Sequence, residues 1–176
     1  SRSDALAADN SAFTVVPPPR RQKVLVVTDG RYPFLDSVIR GLPLQEFPFV
    51  SPQDYEAGVG GPFEAEGQSK FDVVIFDKYT PNKLPGGNFI FLGAVPKLAG
   101  VEIGQKLENH ALIWWNETHP VLRHVALDYV YVGESETVKL PRDAEVLVEG
   151  PQGPVLFRCA EGSRQYLVLT FAVERS

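Results

Sequence analysis

Two short apolar runs that each end at an aspartate dominate the hydrophobic pattern, at residues 24–29 and 71–77. Both are rich in Val, Ile and Phe and lack polar alternation, which is typical of strands covered on both faces in a parallel sheet. Between them, apolar positions at helical spacing predict a helix over residues 34–41, ended by Gly41 and Pro43. The order strand, helix, strand therefore predicts a β-α-β unit.

Further apolar segments predict the rest of the sheet, with strands at residues 46–50, 88–93 and 111–115. Residues 56–70 hold four glycines and few apolar groups, which predicts a mobile loop. After residue 129 short strands alternate with tight turns, which predicts antiparallel hairpins added to the sheet. The predicted fold class is α/β: a mainly parallel sheet flanked by helices, with antiparallel hairpins in the C-terminal third.

The chain is predicted to contain one domain with a short N-terminal extension. Residues 1–19 read as a strand followed by a proline-rich linker, and residues 20–176 as the α/β domain. The last predicted strand runs almost to Ser176 with no helix after it, so truncation at the C-terminus is expected. The chain contains no methionine, which predicts that it is cut from a longer protein.

Composition narrows the classes of partner. A net charge of -5 disfavours nucleic acid and anionic lipid as partners. No apolar run approaches the roughly 18 residues needed to span a bilayer, so no direct membrane insertion is expected. The expected partners are therefore neighbouring domains of the parent chain and other proteins.

Candidate chemistry collects at the predicted strand ends. Ligands of parallel sheets bind at the carboxyl ends of the strands, which is where Asp29 and Asp77 fall. Their neighbours Arg31 and Lys78, together with His119, complete the candidate binding set. Two readings stand. The two aspartates and His119 form an acid-base or metal site, or each aspartate caps a turn and His119 orders the His-Pro turn.

Several kinds of site are disfavoured by the sequence. The glycine-rich fingerprint of dinucleotide binding and the Gly-Lys-Ser/Thr of a phosphate loop are both missing, and no cofactor or metal is predicted. Cys159, the only thiol, lies mid-hairpin without flanking glycines, so it is predicted to be a small core residue rather than a nucleophile. The aromatic residues read either as a ligand platform or, preferably, as core groups: Phe89, Phe91, Trp114, Trp115, Tyr129 and Tyr131.

Four segments in order resemble a known family: VVPPPRRQKVLVVTDGRYPFLDSVIRGLP, FDVVIFDKYTPNKLPGGNFIFLG, WWNETHPVLRHV and VLVEGPQGPVLFRCAEGSRQYLVLTF. Together they are similar to the class I glutamine amidotransferase-like domain. The nearer likeness is to the version in bacterial membrane proteins with a Bat-type aerotolerance N-terminal region and a von Willebrand factor A domain. The resemblance covers about residues 15–173.

The resemblance implies a flavodoxin-like sheet, with residues 4–16 as the closing strand of a preceding β-sandwich. It also implies a membrane-anchored parent whose domain faces the periplasm. Amidotransferases of this class carry a cysteine in a Gly-x-Cys-x-Gly elbow, whereas this chain has Ala94-Val95-Pro96 after the corresponding strand. The expected function is therefore non-catalytic recognition or scaffolding.

Two alternatives stay open. ThuA-like relatives also lack the elbow cysteine and have a turn similar to His119-Pro120, which suggests a hydrolase or sugar-related enzyme. Such an enzyme would use Asp29, Asp77 and His119, with or without a metal. The other alternative is a structural spacer between neighbouring domains.

Overall fold

The computed structural model describes residues 20–30, 33–58 and 60–173. The predicted N-terminal strand and linker at residues 1–19, and the candidate site residue Arg31, lie outside these ranges. The described part contains two helices, α1 (Pro33–Gly41) and α2 (Pro52–Ala57). Its strands are β1 (Val24–Val27), β2 (Phe49–Val50), β3 (Glu64–Ala65), β4 (Gln68–Ser69), β5 (Val73–Asp77), β6 (Gly87–Leu92), β7 (Glu102–Ala111), β8 (Trp114–Trp115), β9 (Tyr131–Lys139), β10 (Glu145–Gly150), β11 (Gly153–Glu161) and β12 (Arg164–Leu169).

One eight-stranded sheet organises the fold, in the order β2-β1-β5-β6-β12-β11-β10-β8. Neighbouring strands are parallel from β2 to β12 and antiparallel from β12 to β8. The C-terminal hairpins therefore extend the parallel sheet, with β12 joining the two parts. The predicted class is confirmed: an α/β, flavodoxin-like sheet that is mainly parallel and carries antiparallel hairpins.

The two faces of the parallel strands pack against different elements. On one face, Leu25, Val27 and Phe76 form a core with Tyr55 of α2. On the other face, the alternate residues of β1 and β5 pack around Ile39 of α1. All four residues of β1 are buried, which explains the apolar run without polar alternation.

Two regions differ from the sequence predictions. Residues 56–70 are not a simple mobile loop, because they hold the end of α2 and the hairpin of β3 and β4. The predicted strand at 111–115 is only the two-residue β8, preceded by the ten-residue β7 that the apolar pattern did not indicate. β7 is mostly exposed, so burial imposes no apolar periodicity on its sequence.

β7 and β9 form a separate antiparallel hairpin that packs on the main sheet through β9. Val132, Ser135 and Val138 are the buried positions of β9, and Ser135 forms a bridge with Phe171 just after β12. The hairpin therefore lies over the carboxyl end of β12. This places buried polar groups next to the edge where ligands of parallel sheets bind.

Candidate functional site

The carboxyl ends of β1 and β5 are joined by a buried polar contact. Thr28 Oγ1 lies 2.8 Å from Asp77 Oδ2 and 2.8 Å from the Gly30 carbonyl oxygen, so one hydroxyl hydrogen serves two acceptors. Thr28 is 7% exposed and Asp77 6% exposed. The Asp77 carboxylate thus links two neighbouring strand ends through the Thr28 hydroxyl. The turn-capping interpretation, which needs bonds from backbone N–H groups, stays a prediction.

The other described candidate residues differ from Asp77 in burial or in location. Asp29 is exposed at the end of β1, and Lys78 is exposed with a φ of +51°. His119 lies elsewhere: its Nε2 is 3.7 Å from Glu145 Oε1 on β10. Three strands separate β10 from β5 in the sheet. The structure therefore brings Asp77 to Thr28 and places His119 in different surroundings.

Gly93 directly follows β6 and precedes Ala94-Val95-Pro96, the segment that the sequence resemblance places at the elbow. It has a φ of +69°, a conformation that glycine adopts at little steric cost. A Cβ at this position would lie 3.0 Å from the N, Cα and Cβ atoms of Ala172. A side chain at Gly93 would require the Ala172 backbone to move, so the start of this segment is packed closely against neighbouring chain.

Cys159 lies far from that position. It pairs with Tyr166 of β12, which in turn pairs with Phe89 of β6, four residues before Gly93. At about 3.3 Å per residue, the thiol is displaced from Gly93 by about 13 Å along the strands. Cys159 is half-buried and packs against the core, as predicted. Burial, with Glu161 and Asp143, raises the pKa of its thiol to about 11, which opposes thiolate formation.

A buried serine-histidine pair was not predicted from the sequence. His110 Nε2 lies 2.8 Å from Ser135 Oγ, and its Nδ1 lies 3.3 Å from the Ala111 carbonyl oxygen. Since a carbonyl oxygen can only accept, Nδ1 carries the ring proton and Nε2 accepts from the serine hydroxyl. This is the contact that a serine nucleophile needs with its base. His110 and Ser135 are 25 residues apart and lie on different strands, so no local sequence pattern indicates their contact.

Ser135 also lines a cleft at the carboxyl edge of the sheet, which we call the strand-end cleft. It has a volume of about 200 Å³ and is bordered by Lys78, Gly93, Ser135 and Thr170 among others. The Thr170 hydroxyl is buried and has no hydrogen-bond partner among the described residues. Among those residues no group of three His, Cys, Asp or Glu side chains is placed to hold a metal.

Exposed apolar side chains collect in one stretch of chain, residues 113–131, which we call the exposed apolar segment. It supplies six of the ten exposed large hydrophobic residues in the described part of the protein. Trp114 is 47% exposed, Tyr131 62% and Tyr129 99%, whereas Phe89 and Phe91 are buried. The core interpretation is therefore confirmed for the two phenylalanines and is wrong for these three residues.

No protein-family model matches the chain, and no curated protein sequence matches it with significance. Solved structures do match. The cytoplasmic protein STM1381 of Salmonella typhimurium LT2 aligns with a TM-score of 0.64 at 11% identity, over 85% of this chain and 88% of that one. The cytoplasmic protein STM3548 of Salmonella typhimurium aligns with a TM-score of 0.65 at 13% identity, over 85% and 87%.

A ThuA-like protein from Parabacteroides merdae aligns less well, with a TM-score of 0.48 at 11% identity over 86% of this chain and 79% of that one. At these identities the two Salmonella structures establish a shared fold. They do not establish an activity, because one fold hosts many functions. Neither helix in the described residues has the length and hydropathy of a membrane span.

Proposed function

We propose that this chain is a non-catalytic recognition or scaffolding domain with the fold of class I amidotransferase-like proteins. The observation that carries the proposal is the segment after β6, where Ala94-Val95-Pro96 supplies no nucleophile. Close packing also disfavours a side chain at Gly93, because Ala172 atoms lie 3.0 Å from an added Cβ. The thiol of Cys159 is too distant to replace the missing nucleophile, and its raised pKa keeps it protonated at neutral pH. Loss of the elbow nucleophile leaves a scaffold that can bind without reacting.

The exposed apolar segment supports recognition of another protein domain. Aromatic residues are enriched at protein interfaces, and Trp and Tyr supply much of the binding energy there. Trp114 lies on β8, an edge strand of the main sheet, and Tyr129 is 99% exposed. A neighbouring domain of the parent chain is the partner that best fits a module of this kind.

The test has a catalytic arm and a binding arm. We expect no ammonia release from glutamine by the purified protein, and only slow labelling of Cys159 by iodoacetamide at neutral pH. We expect Trp114→Ser to weaken binding of the neighbouring domain, supplied in trans, by about tenfold, on the order of 1.4 kcal/mol. Phe34→Ser is the matched control, since Phe34 is an aromatic residue of α1 that is 64% exposed. Ammonia release, or equal weakening by both variants, would overturn the proposal.

The serine-histidine pair favours a second candidate function, an acyl hydrolase. Ser135 Oγ is 2.8 Å from His110 Nε2 and borders the strand-end cleft. In this candidate Ser135 attacks an ester carbonyl while His110 takes the hydroxyl proton and passes it to the alcohol that leaves as the ester C–O bond breaks. Water then hydrolyses the acyl-serine, which releases the carboxylic acid and restores Ser135. Labelling of the native protein by a fluorophosphonate probe, abolished in Ser135→Ala and His110→Ala, would favour this candidate over the recognition proposal.

We also propose that the parent protein is membrane-anchored, with this domain on the periplasmic side together with Bat-type and von Willebrand factor A regions. The sequence resemblance alone supports this placement, and the two Salmonella neighbours are themselves named cytoplasmic proteins. An alkaline phosphatase fusion to this domain in the full-length parent tests it. An active fusion is expected, and an inactive one would place the domain in the cytoplasm.

A further inference from the structure

A second cavity lies away from the carboxyl edge, with a volume of about 490 Å³. This volume is within the range of about 300–1,000 Å³ that is usual for small-molecule sites. The β5–β6 connection and the β6–β7 connection form its walls, and Arg164 and Tyr166 of β12 complete it. Arg164 pairs with Gly87, the first residue of β6, so this cavity is near the amino ends of the parallel strands. It is therefore distinct from the strand-end cleft.

Hydrogen bonds fix the wall that the β5–β6 connection supplies. The Tyr79 hydroxyl donates to Glu56 Oε1 at the end of α2, and the Asn82 backbone N–H donates to the same oxygen at 2.9 Å. Farther along this connection, Arg164 Nε donates to the Pro85 carbonyl at 3.2 Å. This wall is thus tied both to α2 and to the main sheet, which reduces the ordering cost of binding.

The opposite wall is fixed by Glu161, at the turn between β11 and β12. Its Oε1 accepts from the Ala99 backbone N–H at 3.2 Å, and its Oε2 lies 3.7 Å from Arg164 Nη1. Glu161 is therefore already engaged on both oxygens. Its negative charge holds the wall and offsets part of the Arg164 charge.

The charges around this cavity are unbalanced. Lys83, Lys97 and Arg164 line it, against the single carboxylate of Glu161. Lys83 and Lys97 have neither a hydrogen bond nor an ion pair within the described residues. The whole chain has a net charge of -5, so this local excess of positive charge opposes the overall balance. A concave site with one sign of charge raises the local concentration of oppositely charged ligands.

We propose that this basic cavity binds a small organic anion, a carboxylate or a phosphate monoester, whose charge is balanced by Lys83, Lys97 and Arg164. Hydroxyl and amide groups at Thr80 and Asn82 are placed to hydrogen-bond its polar remainder. The inference goes beyond the proposed recognition of a protein domain, because it concerns different residues and a different class of ligand.

Isothermal titration calorimetry on the whole chain tests the proposal, with inorganic phosphate and succinate as separate probes. At an ionic strength on the order of 0.01 M, where the Debye length is about 30 Å, screening is weak. We expect saturable binding of at least one probe, weakened about tenfold or more in Lys83→Gln/Lys97→Gln. Binding of phosphate alone indicates a phosphate monoester as the natural ligand, and binding of succinate alone a carboxylate.

The matched control is Arg123→Gln/Arg158→Gln, which changes the net charge equally without touching the cavity lining. Arg158 pairs with Leu167, on the face of the sheet opposite to Tyr166. If both double variants weaken the affinity for the probe equally, the effect comes from net charge and the proposal is overturned. Absence of binding by the wild-type chain would also overturn it. Thermal unfolding of each variant verifies that it is folded. The calorimetry does not depend on Trp114. Failure of the anion-binding proposal can therefore be distinguished from failure of the proposed recognition of a neighbouring domain.

Discussion

At the scale of single residues, Gly93 combines a left-handed backbone with close neighbouring chain. Its φ is +69°, and a Cβ would lie 3.0 Å from three atoms of Ala172. Gly67 has a similar φ of +74° but nothing within 4 Å of its Cβ position. Alanine substitutions at Gly67 and Gly93 therefore separate the free-energy cost of the left-handed backbone from the cost of the steric clash.

Gly67→Ala is expected to lower the free energy of unfolding by about 1–2 kcal/mol, the usual cost of left-handed backbone in a residue with a Cβ. Gly93→Ala is expected to cost at least about 1 kcal/mol more, because the Ala172 backbone must also shift. Urea unfolding followed by circular dichroism measures both losses. Equal losses would mean that position 93 can accept a side chain without displacing Ala172.

The thiol of Cys159 gives a second prediction for a single residue. Burial, then Glu161 and Asp143, raises its pKa from an ordinary value of 9.0 to about 11. Folding thus favours the protonated thiol, whose contribution to stability is complete below pH 9.0 and is lost as the pH rises towards about 11. Iodoacetamide labelling of the native protein is expected to be slow at neutral pH and to increase towards pH 11.

Cys159→Ala is the control, because it removes the single thiol of the chain and so isolates the cysteine contribution. A labelling midpoint well below 9.0, the ordinary thiol pKa, would contradict the packing described for Cys159.

The sequence predicts the positions of some candidate site residues but not of others. Asp77 could be placed because it ends an apolar run, and the carboxyl ends of parallel strands share one edge. The pairing of His110 with Ser135 could not be predicted, since it depends on how β7 and β9 align and on Asn109, which has a φ of +48° within β7. The surroundings of His119 also depend on long-range packing, because its neighbour Glu145 lies on β10, farther along the chain.

At the scale of secondary-structure elements, the β5–β6 connection depends on one carboxylate of α2. Glu56 accepts hydrogen bonds from Tyr79 and from the Asn82 backbone, and these lower the pKa of its carboxyl group. Folding therefore favours the ionised form. The contribution of Glu56 to stability is complete above pH 4.5 and is lost as the pH falls through the lower pKa of the folded state.

Glu56→Gln keeps a carbonyl acceptor but cannot titrate, so its free energy of unfolding is expected to change less than that of the wild type between about pH 5 and about pH 3. Exposed Glu117→Gln is the matched control and should follow the wild type. Urea unfolding at each pH gives the comparison. If Glu56→Gln and the wild type have the same pH dependence, Glu56 does not stabilise the connection through its charge.

β8 presents its two tryptophans to different surroundings. Trp115 packs against the core cluster around Leu147 and Val148, whereas Trp114 is 47% exposed. Trp115→Ala is expected to cost about 2 kcal/mol, less than a fully buried tryptophan, and Trp114→Ala under about 1 kcal/mol. Chemical unfolding followed by circular dichroism tests the difference. A larger loss for Trp114→Ala would make it a packing residue and remove it from the recognition surface.

Elements were predictable where burial shapes the sequence. β1, β5 and β6 are covered on both faces and were identified from their apolar runs. β7 is a ten-residue strand, but only His110 in it is buried, and polar residues fill the rest. Its place is determined by hydrogen bonds to β9, a long-range pairing that hydrophobic periodicity does not record.

At the scale of the whole molecule, β12 joins the parallel and antiparallel parts into one sheet. It pairs with β6 over six residue pairs on one side and with β11 over six on the other. Core side chains continue across this junction, since Phe91, Tyr166 and Phe157 belong to one cluster. Shared packing of this kind predicts that both parts unfold in a single transition.

Tryptophan fluorescence reports one end of the sheet, because both tryptophans of the chain are on β8. Its urea midpoint is expected to coincide with that of far-ultraviolet circular dichroism. Phe49→Trp, in a Trp114→Phe/Trp115→Phe background, moves the probe to β2 at the opposite edge and should give the same midpoint. Different midpoints for the two probes would show that the parallel and antiparallel parts unfold separately.

The position of β12 also has a consequence for biosynthesis. Strands β1, β2, β5 and β6 are synthesised first, and until residues 164–169 emerge from the ribosome β6 has no partner on one side. An unpaired edge rich in phenylalanine invites association with other chains. The nascent protein therefore carries an open β-edge until β12 has emerged, and a ribosome stalled before residue 164 would leave that edge exposed to chaperones and to other nascent chains.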